Sequence, residues 1–250
     1  MSAHAHVKEN VLLETKRSTT QIGPQVDPSW KGLYKAGGIS AILYILLSLV
    51  IPTVQVLTME FFSSTAEYGG IEFLQFIAEN RFWWFFVQTV VLGTSILAIV
   101  AFVALFVALK QLNKSMAALG AVIAVTCQLL FMAYYPVLLG TIYLSDKFVT
   151  ATADQQILLG AAADALMAIN NAFNPLYESL FGISIMFLSL AMLKGVFHKS
   201  IAYLGIATGP VSIIAISLWP VLNVGYFWWW ILFVIWFIAV GVKLLRLGKA

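Results

Sequence analysis

The chain of 250 residues is 61% hydrophobic and only 10% charged, against ~45–50% apolar and ~25% charged for globular domains, which excludes an ordinary water-soluble fold. Its net charge of +3 does not point to nucleic acid, because the basic residues fall in short connectors between apolar runs, where they set orientation and meet anionic headgroups. Cys127 is the single cysteine, so no intrachain disulfide can form.

Residues 1–30 are polar and mixed in charge, which reads as a mobile cytoplasmic tail without a cleaved signal peptide. Residues 31–250 read as one domain of six apolar spans, each near the ~20 residues that a helix needs to cross ~30 Å of hydrocarbon. The first span covers about 37–57, with Pro52 loosening its outer third. Glu60, Glu67, Glu72 and Glu79 make the next connector acidic, and Ile71, Phe73, Leu74, Phe76 and Ile77 predict a short surface helix in it. Span two, about 82–109, opens on Phe82-Trp83-Trp84-Phe85-Phe86, which reads as an aromatic belt. Span three runs over about 115–143 and carries Pro136.

Thr152-Ala153-Asp154-Gln155 has the form of a capping box and predicts a helix start. An unbroken helix from Ala153 to Leu193 would measure roughly 60 Å, about twice the hydrocarbon thickness. Pro175 clashes with the carbonyl of Asn171, so a break is expected between Asn170 and Pro175. That division gives an outer amphipathic helix, Ala153 to Ile169, followed by span four at about 173–193. Span five, about 201–218, rises from the turn Phe197-His198-Lys199-Ser200. After the hairpin Trp219 to Gly225, span six at about 226–242 opens on a second aromatic run, Tyr226 to Trp230. The expected fold is all-α: a polytopic six-helix transmembrane bundle with an outer interfacial amphipathic helix.

Orientation follows from charge. With a cytoplasmic N-terminus, of the 14 Lys and Arg residues only Arg81 and Lys147 fall outside, as the positive-inside rule requires. The expected location is the cell membrane, multi-pass, with both termini cytoplasmic.

An ionisable group within a span costs at least ~2.5–3.5 kcal/mol at the bilayer centre and marks a functional site by default; Glu178 is that group. Helical spacing sets Asn171, Asn174, Glu178 and Gly182 on one stripe. Counted from the inner lysines, Glu178 and Gln128 lie at a common depth of roughly 21–24 Å, and Gln55, Gln88, Tyr135 and Asn174 at roughly 30 Å. The inner halves hold small residues four apart, Gly37 with Ala41, Ala104 with Ala108, Ala117 with Ala121 and Gly205 with Gly209, which let helix backbones approach closely. The inferred shape is closed inside and looser outside, with an outward polar vestibule over Glu178. A packing role stands beside this reading, since Asn, Gln and a neutral Glu also serve as hydrogen-bonding glue between helices.

The blocks WKGLYKAGGISA from Trp30 to Ala41, ATADQQILLGAAADALMA from Ala151 to Ala168 and FHKSIAYLGIATG from Phe197 to Gly209 resemble a bacterial and archaeal family of small multi-helix membrane proteins catalogued as domain of unknown function 4386. The resemblance covers about Trp30 to Arg246 and implies the fold, with no activity or catalytic residue to carry over.

No histidine pair lies in a span, and neither a nucleophile elbow nor a glycine-rich phosphate loop is present. No cofactor and no metal are therefore expected. The partners expected are the lipid bilayer and a small-molecule ligand, with no nucleic acid; the sequence does not specify a protein partner or homo-oligomer. The favoured activity is binding or transport of a small molecule or proton through the vestibule, with Glu178 neutral when empty and ionised when it meets a cation. The alternatives are a non-catalytic accessory protein that binds a partner through its outer helix, and an intramembrane enzyme using Glu178 as acid or base.

Overall fold

With no water in hydrocarbon to satisfy backbone amides, each apolar run must satisfy them internally, as a helix does. A computed structural model describes residues 27–59, 69–195, 197–218 and 225–249, without the side chains of 51–52, 54–59 and 225–228. Its seven α-helices are α1 (Lys31–Met59), α2 (Gly70–Glu79), α3 (Arg81–Leu109), α4 (Lys114–Val149), α5 (Ala153–Met192), α6 (Lys199–Ser217) and α7 (Gly225–Lys249). All except α2 are long and apolar enough to cross a membrane. The chain is an all-α, multi-pass membrane protein. The tail over 1–26, Glu60 and Glu67, and the hairpin over 219–224 lie outside the described residues, as do the side chains of Pro52 and Gln55.

The six long helices form a closed ring in chain order: α1 packs on α3, α3 on α4, α4 on α5, α5 on α6, α6 on α7, and α7 back on α1. Close approach at small residues holds the ring together. A Cβ on Gly38 would lie 2.8 Å from the Gly241 carbonyl, fixing α1 on α7, and one on Gly120 would lie 2.9 Å from the Ser184 carbonyl, fixing α4 on α5. Gly37 faces Ala104, and Ala41, Ala104 and Ala117 are wholly buried, so the expected small-residue pairs do sit in the helix contacts of the lysine-rich end. With 29 residues each, α1 and α3 are ~43 Å long, the thickness of a bilayer with its headgroup layers.

The core is double. A large cluster fills the ring from the lysine-rich end up to Tyr44, Phe181, Trp229 and Phe233, while a smaller one at the opposite end unites Phe73, Leu74 and Ile77 of α2 with Trp84, Val87, Ile142, Phe148 and Ala163. The expected surface helix is thus α2, and it is docked rather than adrift: the Gly70 amide donates to Asp164 Oδ1 at 2.7 Å and the Ser145 hydroxyl to the Leu74 carbonyl at 2.8 Å. Its polar face, with Glu72, Gln75 and Glu79, is exposed.

Two expectations need correction. The break between Asn170 and Pro175 is absent, since one 40-residue helix runs from Ala153 to Met192 with Pro175 inside it. The helix expected over Ala153 to Ile169 forms, with Gln155 accepting from the Thr152 amide at 3.1 Å, but it is the first part of α5. Proline removes a single amide, and α4 splints α5 across the weak point. Tyr134 donates to Asn170 Oδ1 at 3.2 Å and stacks on Phe173 at 4.8 Å, while Phe131 packs on Tyr177 at 4.8 Å. The second correction concerns the belts. Phe82, Trp83 and Phe85 are exposed, but Trp84 and Trp229 are buried in the two cores. A run of five residues turns through more than a full helical turn, so some of its members must face inward.

Candidate functional site

Between the two cores lies a polar and aromatic layer. It is built from Tyr44 and Ser48 of α1, Thr94 and Ser95 of α3, Cys127, Gln128, Phe131 and Tyr134 of α4, and residues 170–178 of α5. Counted along each helix from the lysine-rich end, most of these side chains stand roughly 20–30 Å up. Helical spacing aligns Phe173, Tyr177 and Phe181 as a ladder, with Tyr177 stacked on Phe181 at 5.8 Å. Phe181 meets Phe233 at 5.3 Å, and Phe233 meets Tyr44 at 5.8 Å, so aromatic rings span the ring from α4 and α5 to α7 and α1.

Gln128 is wholly buried. Its Nε2 donates to Tyr177 Oη at 2.9 Å, and its Oε1 is buried with no hydrogen-bond partner among the described residues. A buried acceptor left in that state costs about 1–3 kcal/mol. Because the Tyr177 oxygen accepts from Gln128, its own proton stays available to a further acceptor. The Tyr44 and Tyr177 hydroxyls and the Glu178 carboxyl lie within electrostatic range of one another. Glu178 is half-buried, with Oε2 closed off from solvent.

The seven residues singled out in the sequence separate into groups. Gln128 and Glu178 reach the same layer, joined through Tyr177 instead of by direct contact. Burial along the stripe of α5 is graded: Asn171 is exposed, Asn174 and Glu178 are half-buried and Gly182 is buried. At its foot Gly182 faces Ser212 and Gly209 of α6. Tyr135 points elsewhere, its hydroxyl 3.5 Å from Thr89 Oγ1 on the exposed α3–α4 surface. Gln88 is buried in α3 beside Val87 of the smaller core. Gln55 lies outside the described side chains.

Tyr177, Tyr44 and Asn170 are the participants that polarity alone did not single out. The signal for them was the spacing of four that joins Phe173, Tyr177 and Phe181, with Asn170 one turn before Asn174. Among the described residues no three His, Cys, Asp or Glu side chains converge as a metal site.

No family model, no curated protein and no solved structure matches this chain.

Proposed function

We propose that this membrane protein binds a small cation or protonated molecule at Glu178 and passes it, or its proton, through the outer half of the bilayer. The observation that carries this reading is the graded stripe from exposed Asn171 through Asn174 to Glu178, which ends in a layer that also holds the open Gln128 acceptor. A carboxyl in the same layer as the Gln128 carbonyl oxygen, which has no donor among the described residues, suits a ligand carrying N–H groups or positive charge. Arrival of such a ligand brings a donor to the Gln128 acceptor and a positive charge beside Glu178.

The test compares wild type, Glu178→Gln and Glu178→Leu in lipid nanodiscs for thermal stabilisation by a panel of ammonium compounds. Ligands of the folded state raise its melting temperature by mass action. Glu178→Gln should fold with a melting temperature near wild type and lose the ligand-dependent rise. An equal rise in wild type and the Gln variant would reject the role given to the carboxyl.

In the same reading the lysine-rich end faces the cytoplasm of the cell membrane, supported by the distribution of basic residues. Cysteines placed singly at Lys114 and Asp146, both exposed, in a Cys127→Ala background should label oppositely with an impermeant thiol reagent on intact cells. Equal labelling rejects the orientation. Membership of the family of domain of unknown function 4386 belongs to this proposal too, and supplies no activity.

A second reading, a non-catalytic accessory protein, is favoured by one observation. Ile157 and Leu158, in the first turns of α5, are 61% and 71% exposed, as a partner-binding helix would be.

A further inference from the structure

Helices α1 and α7 meet at the lysine-rich end along a tightly packed seam, and cations from both helices converge on it. Lys31 and Lys35 come from α1, and Lys243, Arg246 and Lys249 from α7, while neither helix contains an Asp or Glu. A Cβ on Gly248 would stand 2.6 Å from Lys35 Cγ, so the Lys35 stem crosses α7 where a glycine leaves room for it. The stem is thereby laid against the turn of α7 that carries Lys249. Lys35, Arg246 and Lys249 are exposed. Close packing thus gathers like charges from two helices, an arrangement that favours an anion between them.

The 3-10 turn that leads into α1, Pro28–Trp30, sits on the other side of that helix. Lys110 Nζ at the end of α3 stands 5.0 Å over the Trp30 ring, and Asp27 lies within electrostatic range of Lys110, so this turn leans on α3 and not on α7. Below the cations the seam is apolar and faces outward. Helical spacing aligns Lys35, Ile39, Ile42 and Leu46 on α1, and Ile238, Val242, Leu245 and Lys249 on α7. Ile42 reaches Gly241 and Leu245 reaches Gly38, so each stripe borders the opposite helix. Ile39, Leu46, Ile238 and Val242 are 51%, 53%, 43% and 37% exposed, which opens both stripes to the bilayer. From Lys35 to Leu46 the helix rises roughly 16 Å, close to the ~15 Å of hydrocarbon in one leaflet.

We propose that the α1–α7 seam is a binding site for an anionic phospholipid, its phosphate held between Lys35 and Lys249 with Arg246 beside them, and an acyl chain lying along the two stripes. Charge selects the headgroup, because a zwitterionic lipid brings its own cation to a place already crowded with them. The stripes select a lipid over a free phosphate, because only a lipid also covers apolar surface to the depth of one leaflet. The bilayer presents such a molecule in the required direction, head at the boundary and chain toward the centre. The site is separate from Glu178 and independent of the role proposed for that residue.

In the experiment the full chain in an uncharged detergent is titrated with phosphatidylglycerol, phosphatidylcholine or inorganic phosphate and followed by thermal unfolding. Physiological salt screens exposed charges beyond ~8 Å and so suppresses attraction from a distance. Phosphatidylglycerol should stabilise wild type, phosphatidylcholine should act at least about tenfold more weakly, and inorganic phosphate at the same concentration should have no effect. Lys35→Gln with Lys249→Gln removes two cations of the seam and should weaken the response to phosphatidylglycerol by about tenfold or more. Lys114→Gln with Lys199→Gln makes the same change of charge at the starts of α4 and α6 and should leave that response unchanged. Equal weakening by the two pairs would show attraction to the whole charged end and reject a site at the seam. An equal response to phosphatidylcholine, or none to either lipid, overturns the inference, and an equal response to inorganic phosphate rejects the lipid in favour of a free anion. Should the seam pair fail to fold, Lys249→Gln alone is set against Lys114→Gln alone: weakening confined to Lys249→Gln supports the seam, and equal responses reject it.

Discussion

The amide of Gln128 sits 2.9 Å from the hydroxyl of Tyr177 across the contact between α4 and α5, and among the described residues this bond is the only polar anchor that the wholly buried Gln128 side chain has. Removing the hydroxyl with Tyr177→Phe leaves both amide atoms of Gln128 buried and unsatisfied. The expected loss is about 1–3 kcal/mol, the penalty for a buried polar group stripped of its partner. Replacing both residues, as Gln128→Leu with Tyr177→Phe, removes the amide as well and should recover most of that loss. A double-mutant cycle on thermal stability in detergent measures the difference; losses that simply add would show that the two groups do not act as a pair.

Close packing makes a second, independent demand at Gly182. A Cβ there meets the Ser212 side chain, whose hydroxyl is held by the Gly209 carbonyl at 2.6 Å, so either a buried hydrogen bond breaks or α5 and α6 move apart. Gly182→Ala should cost about 1–3 kcal/mol, as overpacking does. Gly93→Ala is the control, since nothing stands within 4 Å of a Cβ at Gly93; helix propensity alone should make it neutral or stabilising by up to ~1 kcal/mol. Matching melting temperatures for the two variants would contradict the described α5–α6 contact.

Several features of the fold were legible because one strong physical rule governed each of them. Span length and lysine placement follow from bilayer thickness and electrostatics, and Gly37, Ala104 and Ala117 announced close helix contacts through small size at helical spacing. The continuity of α5 was not legible. Pro175 is a local signal, and what overrides it is Tyr134 and Phe131 arriving from another helix. Likewise Trp84 and Trp229 carry the same composition signal as Trp83, and only the direction in which each side chain leaves its helix separates core from belt. At the candidate site, a count of residues put Gln128 and Glu178 at one depth. It could not show that Gln128 turns to Tyr177 instead.

The start of α1 carries a pH dependence whose sign is fixed. Asp27 precedes the short 3-10 turn Pro28–Trp30, and its Oδ1 accepts from the Ser29 amide at 2.9 Å. That bond holds the Asp27 carboxyl below its ordinary value. A depressed carboxylate contributes stability above its unfolded value and loses it as pH falls through the lower folded value. Amide exchange at Ser29 and Trp30, corrected for intrinsic rates, should therefore rise as the solution is acidified through the carboxylate range. Asp27→Asn should flatten that rise; an unchanged profile in the variant would assign it to another group.

Docking of α2 rests on a charged cap supplied by another helix. The Gly70 amide is one of the four at the start of α2 that have no partner within the helix, and Asp164 of α5 accepts from it at 2.7 Å. The negative charge also faces the positive end of the α2 dipole, an arrangement worth about 0.3–1 kcal/mol beyond the hydrogen bond. Nearby, a Cβ on Gly70 would meet the Gly160 backbone, so the two helices touch where the cap forms. Losing the carboxylate should free the first turn of α2 while Phe73, Leu74 and Ile77 keep the remainder buried. Asp164→Ala is expected to cost about 1–2 kcal/mol locally, which is roughly a fivefold to thirtyfold increase in amide exchange at Gly70 and Ile71. Asp154→Ala serves as the control, since Asp154 is exposed in the first turn of α5, and exchange in α2 should be unchanged by it. If Asp164→Ala leaves exchange at Gly70 at the wild-type rate, the contact with Gly160 and the apolar face hold α2 in place without the cap.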